Sequence, residues 1–183
     1  ILYMLTILLM EKKDKEIYKG LSDTDALTGL FNRRAFQAAV DETLLKRIAG
    51  VFIFIDVDNF KDYNDKYGHA NGDLCLKHFA AAMKKCFPKD SILGRYGGDE
   101  FVVYIKNAAS DDAHRYMDEF QREISHLIMA GGEHVTVSAS AGGVAFIGEG
   151  EDFVSLCRSA DNMLYDVKRN GKGTFKIKGA KNM

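Results

Sequence analysis

The sequence is short of several things. It has one proline, Pro88, and no Ser/Pro-rich or low-complexity stretch. No internal repeat is visible. An interdomain linker and a repeat array are therefore excluded, and the chain from about Ser22 onward reads as one domain. Net charge is −1, with 25 basic and 26 acidic side chains. That balance gives no bulk attraction to nucleic acid or to an anionic membrane. The cysteines number only three, Cys75, Cys86 and Cys157, and each falls in a stretch of helical apolar periodicity. They fit reduced core residues and not a disulfide framework. Cys75 and His78 lack a second ligand pair at finger spacing, which makes zinc a poor reading. Two nucleotide signatures are missing as well: there is no G-x-x-x-x-G-K-[ST], and no G-x-G-x-x-G opens a helix. A nucleotide bound here would not be held by a P-loop or a Rossmann turn.

Long apolar runs are scarce too. Residues 1–10, ILYMLTILLM, are apolar but too few to span a bilayer or to make a whole signal peptide. Two readings stand: the end of a truncated transmembrane helix, or the end of a helix packed on a partner. The charged run EKKDKEIYKG that follows suits a juxtamembrane or solvated connector. The chain begins at Ile1 and not at methionine, as a piece of a longer protein would. The expected location is a cytoplasmic domain, tethered to an inner membrane if the first reading holds.

What is present is regular. Ser22 or Asp23 could cap a helical start, and Phe36, Ala39, Val40, Leu44 and Ile48 recur at helical spacing up to Gly50. VFIFIDV (51–57) is a continuous apolar β-prone run, expected of a strand covered on both faces. A helix over 74–87 stops at Pro88, and strands near 91–96 and 100–105 flank Gly97-Gly98. Ala113, Met117, Phe120 and Ile124 mark another amphipathic helix. HVTVSASAGGVAF (134–146) reads as a strand, its Gly pair suggesting a kink or bulge. A last long helix carries Phe153, Leu156, Ala160, Leu164 and Val167, and GKGTFKIK gives a turn and a final strand. The order predicts an α+β fold, a mixed sheet with helices over its faces.

Three groups of carboxylates carry chemical interest: Asp56 and Asp58 at the end of the buried strand, Asp99 and Glu100 after the Gly pair, and Asp73. Each has an ordinary reading, as a cap for a helix near Asn59, a plain turn, or a cap for the helix 74–87. Taken together they form an oxygen-only set suited to a hard cation such as Mg²⁺, held by one or two carboxylates plus substrate phosphates. Strand alternation puts residues 56 and 58 on one side. Lys168, Arg169 and Lys172 follow in VKRNGKG, either as cations at a helix C-terminus or as a triphosphate clamp.

RYGGDEF (95–101) resembles the motif that names the GGDEF domains, the diguanylate cyclases. DALTGLFNRRAF (25–36) is similar to the family's D-x-L-T-G-L-x-N-R-R opening, and DVDNFKDYNDKYGHANGD (56–73) to its D-x-D-x-F-K-x-x-N-D-x-x-G-H-x-x-G-D block. VSASAGGVAF and ADNMLYDVKRNGKG resemble its late strand and closing helix. The resemblance implies a domain over 23–178, preceded by an apolar helix end and connector (1–22) and followed by a tail (179–183). It implies a five-stranded sheet surrounded by helices, similar to the palm of adenylyl cyclases and polymerases. It also implies condensation of two GTP into cyclic di-GMP with release of pyrophosphate, by a homodimer with one GTP and one Mg²⁺, or Mn²⁺, per subunit. The alternative is a non-catalytic GTP-binding module that regulates a fused or partner domain.

Carried over residue by residue, Asp56 and Asp99, with the Val57 carbonyl, would bind the metal. Asp56, Asp99 and Glu100 would form the catalytic group. Asn64 and Asp73 would read guanine. The amides near Asn59 and Phe60, with Lys61, Lys168 and Lys172, would hold the β- and γ-phosphates. Gly97 and Gly98 would leave room for ribose and α-phosphate, and Arg95 would touch the second nucleotide or an allosteric ligand. Two departures stand out. The family's inhibitory R-x-x-D falls here on Pro88 and Ser91, so no strong product inhibition is expected there. The closing K-x-x-G-R-N has Lys172 in place of arginine, which keeps the charge and loses the bidentate fork.

Overall fold

A computed structural model of the chain describes residues 22–128 and 134–179. The expectations for residues 1–21 and for the end of the tail lie outside these described residues.

Strand β2 (Gly50–Val57) is the centre of the sheet, buried along nearly its whole length as its unbroken apolar run requires. β4 (Glu100–Lys106) and β7 (Ala139–Phe146) pair with it on either side, both antiparallel. β3 (Ile92–Gly97) adds to β4 antiparallel, and β1 (Phe31–Asn32) and β8 (Phe175–Lys178) close the edges in parallel pairing. The sheet order is β1-β3-β4-β2-β7-β8. The sheet has six strands where five were expected, the sixth being the two-residue β1.

Alternation along β2 sorts its side chains to two cores. Val51, Ile53 and Ile55 join Phe79, Met83, Phe101 and Phe120 beneath α3 (His69–Cys86) and α4 (Ser110–Ile124). Phe52 and Phe54 join Phe36, Tyr104, Phe153, Leu156 and Leu164 beneath α1 (Arg33–Leu45) and α5 (Phe153–Arg169). Each fully buried aromatic or aliphatic side chain contributes about 1.5–3 kcal/mol. Tyr104 is wholly buried, and its hydroxyl donates to the Ile48 carbonyl at 2.7 Å. The two cores hold the sheet between helix pairs and leave its strand ends free to carry function.

Local chemistry moves several boundaries. α1 starts at Arg33 and not near Ser22, because Asn32 is its cap: its side chain accepts from the Ala35 amide at 3.0 Å. α3 begins at His69, so Asp73 lies inside it and does not cap it. The expected strand 134–146 is broken. β6 (His134–Val135) pairs with β5 (Leu127–Ile128) in a separate ribbon, and the main sheet resumes at Ala139. Between them the Ser138 carbonyl accepts from the Asp58 amide at 2.9 Å, which takes that residue out of the strand ladder. No bulge occurs at Gly142-Gly143, where pairing with Phe54 and Ile53 is continuous. These glycines instead let α5 lie on the sheet: a Cβ at Gly142 would overlap the Ala160 carbonyl and Leu164 amide. The register shift falls between Arg95 and Gly97, beside the other Gly pair.

Candidate active site

The C-terminal end of β2 meets the N-terminal ends of β4 and β7. Asp56 is in register with Glu100 on one side and Ser140 on the other. The Val57 amide donates to the Asp99 carbonyl at 3.2 Å, which fixes the Gly-Gly-Asp-Glu turn against the strand end. The last turn of α5 brings Lys168, whose ammonium stands 2.8 Å from Asp56 Oδ2; the Asp56 side chain is only 13% exposed. Burial pushes the Asp56 carboxyl above its ordinary range; Lys168 opposes that shift, while Asp99 and Asp58 add to it. Burial also raises Glu100, followed by the charges of Asp56 and Asp99. Asp56 and Glu100 are thus both held above the ordinary range at one strand end, with Asp99 beside them and Lys168 as counter-charge.

Asp58 has a different task. β2 ends at Val57, and Asp58 turns away into a buried net: it accepts from the Ser138 hydroxyl (2.8 Å), the Ser140 hydroxyl (2.7 Å) and the Gly173 amide (2.9 Å). It ties β7 and the loop after α5 to β2, and so aligns Lys168 with Asp56. Asn59, at φ 54°, precedes α2 (Phe60–Tyr67) without a side-chain cap bond, so the first amides of α2 keep no cap from that residue. Lys172, also left-handed at φ 56°, donates to Asn59 Oδ1 at 2.8 Å, which brings the closing loop over the start of α2. Lys61 is exposed beside it.

Asn64 and Asp73 lie on the two helices that flank the corner between α2 and α3. The turn is Gly68 (φ 83°), and Asn64 Oδ1 is packed against Gly72, the neighbour of Asp73. Asp73 itself is exposed. Gly98 has open space where a side chain would be, and a Cβ at Gly97 would meet only Glu100 Oε2 at 3.1 Å.

Arg95 is engaged within the domain. Its Nε and Nη2 donate to the Gly98 carbonyl at 3.0 and 2.7 Å, and Nη1 donates to both oxygens of Asp25 at 3.2 Å. The Thr28 amide and hydroxyl also donate to Asp25 Oδ1, at 2.9 and 2.7 Å. Burial pushes the Asp25 carboxyl up, but Thr28 and then Arg95 outweigh it and hold it below the ordinary range. This clamp joins the DALTGL segment to the Gly-Gly turn. The sequence reading assigned Asp25, Thr28 and Asp58 no such part, although all three stand in the motifs it singled out.

The donor set fits a hard divalent cation. Asp56, Asp99 and Glu100 offer oxygen only, and Asp56 already attracts a cationic group. Among the described residues no cluster of three or more His, Cys, Asp or Glu could hold a metal alone, so substrate oxygens would have to complete the shell. Cys75 is buried, and burial pushes its thiol up to about 11, as suits a core residue.

The model of the diguanylate cyclase GGDEF domain family matches residues 22–174. The chain belongs to the GGDEF family. The domain is 33% identical over 168 residues to the cyclic di-GMP phosphodiesterase PdeR of Escherichia coli, covering 90% of this chain and 25% of that protein. It is 34% identical over 164 residues to a diguanylate cyclase of Vibrio cholerae, covering 86% of this chain and 50% of that one. Its fold is similar to the GGDEF domain of DgcB from Caulobacter crescentus, solved in complex with c-di-GMP, with TM-score 0.79 and 28% identity over 86% of this chain and 96% of that one. The GGDEF domain spans a quarter to a half of the length of the curated relatives it matches. Among the described residues no helix is long and apolar enough to cross a membrane.

Proposed function

We propose that this GGDEF domain is a diguanylate cyclase. Two GTP would be joined into cyclic di-GMP by two copies of the domain facing each other, each holding one nucleotide. The observation that carries the reading is the register of Asp56 with Glu100, Asp99 beside them, and Lys168 on Asp56. A non-catalytic module would have no need to keep three acids at one strand end.

Asp56, Asp99 and the Val57 carbonyl would hold Mg²⁺, or Mn²⁺. The bound cation would acidify the attacking 3′-hydroxyl and neutralise charge on the α-phosphoryl and leaving pyrophosphate. In each of two steps a 3′-oxygen forms a bond to the α-phosphorus of the opposite nucleotide, and the α–β P–O bond breaks. The hydroxyl proton passes to Asp99 or to a water it positions. Lys168, Lys172, Lys61 and the amides at the start of α2 would bind the β- and γ-phosphates, with Lys168 leaving Asp56 as the cation arrives. Asp73 would accept from guanine N1–H and N2–H, a pair that adenine does not offer, with Asn64 beside it. Apposition of two domains supplies the attack geometry, so dimerisation is part of the site.

The test is incubation of the chain with GTP and Mg²⁺, beside Asp99→Ala. Cyclic di-GMP is expected from the first and at least about a hundredfold less from the second. GTP binding without product at high protein concentration would favour a regulatory module instead. Pro88 and Ser91 stand where R-x-x-D would be, joined by a backbone hydrogen bond of 3.0 Å. Product should therefore bind weakly there, and a tight binding isotherm for cyclic di-GMP would sink that expectation.

A further inference from the structure

Asn64 Oδ1 is buried and has no hydrogen-bond partner among the described residues. Leaving a carbonyl oxygen in that state carries a penalty, so its position needs a cause. It lies where the side chain of residue 72 would otherwise be. A Cβ on Gly72 would overlap Asn64 Oδ1, come within 2.9 Å of its Cγ and 3.3 Å of the Phe60 ring. All three of these nearest atoms belong to side chains, and none to backbone.

Nothing in the backbone asks for glycine there. Gly72 sits inside α3 and is not among the residues of positive φ. A buried helical glycine is normally a poorer choice than alanine. The helix would accept a methyl; the Asn64 carboxamide, free to turn about its side-chain torsions, is the main obstacle, and the Phe60 ring at 3.3 Å need give by only a few tenths of an ångström.

We propose that Gly72 is a specificity-positioning residue. Its missing side chain is the seat of the Asn64 carboxamide and holds it beside Asp73, so that both meet the edge of one purine. The proposal rests on the guanine-nucleotide reading of this site. A methyl at 72 expels the carboxamide by rotation, which leaves the fold intact and removes one hydrogen bond to the base.

The test is a four-protein cycle in the 183-residue chain: wild type, Gly72→Ala, Asn64→Ala and the double variant. Calorimetry with Mg²⁺ and non-reacting analogues of GTP and ATP reads affinity, and thermal unfolding reads stability. Gly72→Ala should melt no lower than wild type. It should bind the GTP analogue about tenfold more weakly, one hydrogen bond's worth, with little change for the ATP analogue. Asn64→Ala should lose a similar factor, and the double variant no more than either alone, because both changes remove the same contact. The proposal is overturned if Gly72→Ala keeps wild-type discrimination, if the two losses multiply, or if Gly72→Ala melts well below wild type. Wild type binding neither analogue would overturn the guanine reading itself and this inference with it. Wild type binding with Gly72→Ala unaffected would overturn the inference alone.

Discussion

Gly97-Gly98 and Gly142-Gly143 are the same dipeptide, each set in or beside a strand of one sheet, with opposite surroundings. At Gly142 the missing side chain is filled by the α5 backbone, and a Cβ at Gly143 would lie 3.2 Å from Ile53, Ile177 and the Phe52 carbonyl. At Gly98 there is nothing within 4 Å, and Gly98 is not in the left-handed region either. One pair is explained by what the protein puts against it. The other meets only Glu100 Oε2 at Gly97 and open space at Gly98. A glycine that neither packing nor backbone conformation requires, beside Asp99 and Glu100, agrees with the proposed nucleotide site.

Substitutions can break this contrast. Gly142→Ala should cost the most stability, about 3 kcal/mol, because α5 must lift from β7. Denaturant unfolding checks this, and a loss under about 1 kcal/mol would mean that the helix can retreat freely. Asp58→Ala should come next, at about 2 kcal/mol, since it takes the acceptor from the Ser138 and buried Ser140 hydroxyls and one of the two acceptors of the Gly173 amide. Asp25→Asn should cost about 1 kcal/mol near neutral pH by weakening the Arg95 clamp. The Asp25 carboxyl is held below its ordinary value in the fold. Its stabilisation is therefore present above the unfolded-state pKa of about 3.9 and lost as pH falls through the folded one. The gap between wild type and Asp25→Asn should close below about pH 4; a gap that persisted in acid would assign it to something other than this charge. Gly98→Ala should have the smallest effect on stability, within about 0.5 kcal/mol, yet, on the proposed placing of ribose and α-phosphate there, reduce cyclic di-GMP formation about a hundredfold. Unchanged turnover would end the contrast between the two pairs.

Much of the fold could be read in the chain because its signals are local. The unbroken apolar run of β2, the stripe of α5 and the stop at Pro88 each depend on a few neighbouring residues. The misread places depend on distant ones. β1 forms where Gly94 and Arg95 lie alongside it, and the break before β7 where Asp58 captures Ser138. The site divides in the same way. Acids and lysines were legible as types in known motifs. Their partners were not: that Lys168 meets Asp56 and Lys172 meets Asn59 follows from α5 crossing the sheet. The glycines of β7 suggested a bulge because sequence shows a missing side chain without showing what occupies the gap.

The sheet's borders bear on how two copies could meet. One border, β1, is two residues long. The other, β8, is four residues long, exposed at every second position, and turns Lys176 and Lys178 outward. Short, lysine-bearing edges resist strand-to-strand extension. A second domain would therefore have to approach through helix faces and loops, and the proposed partners could come apart and re-form without disturbing a single backbone ladder.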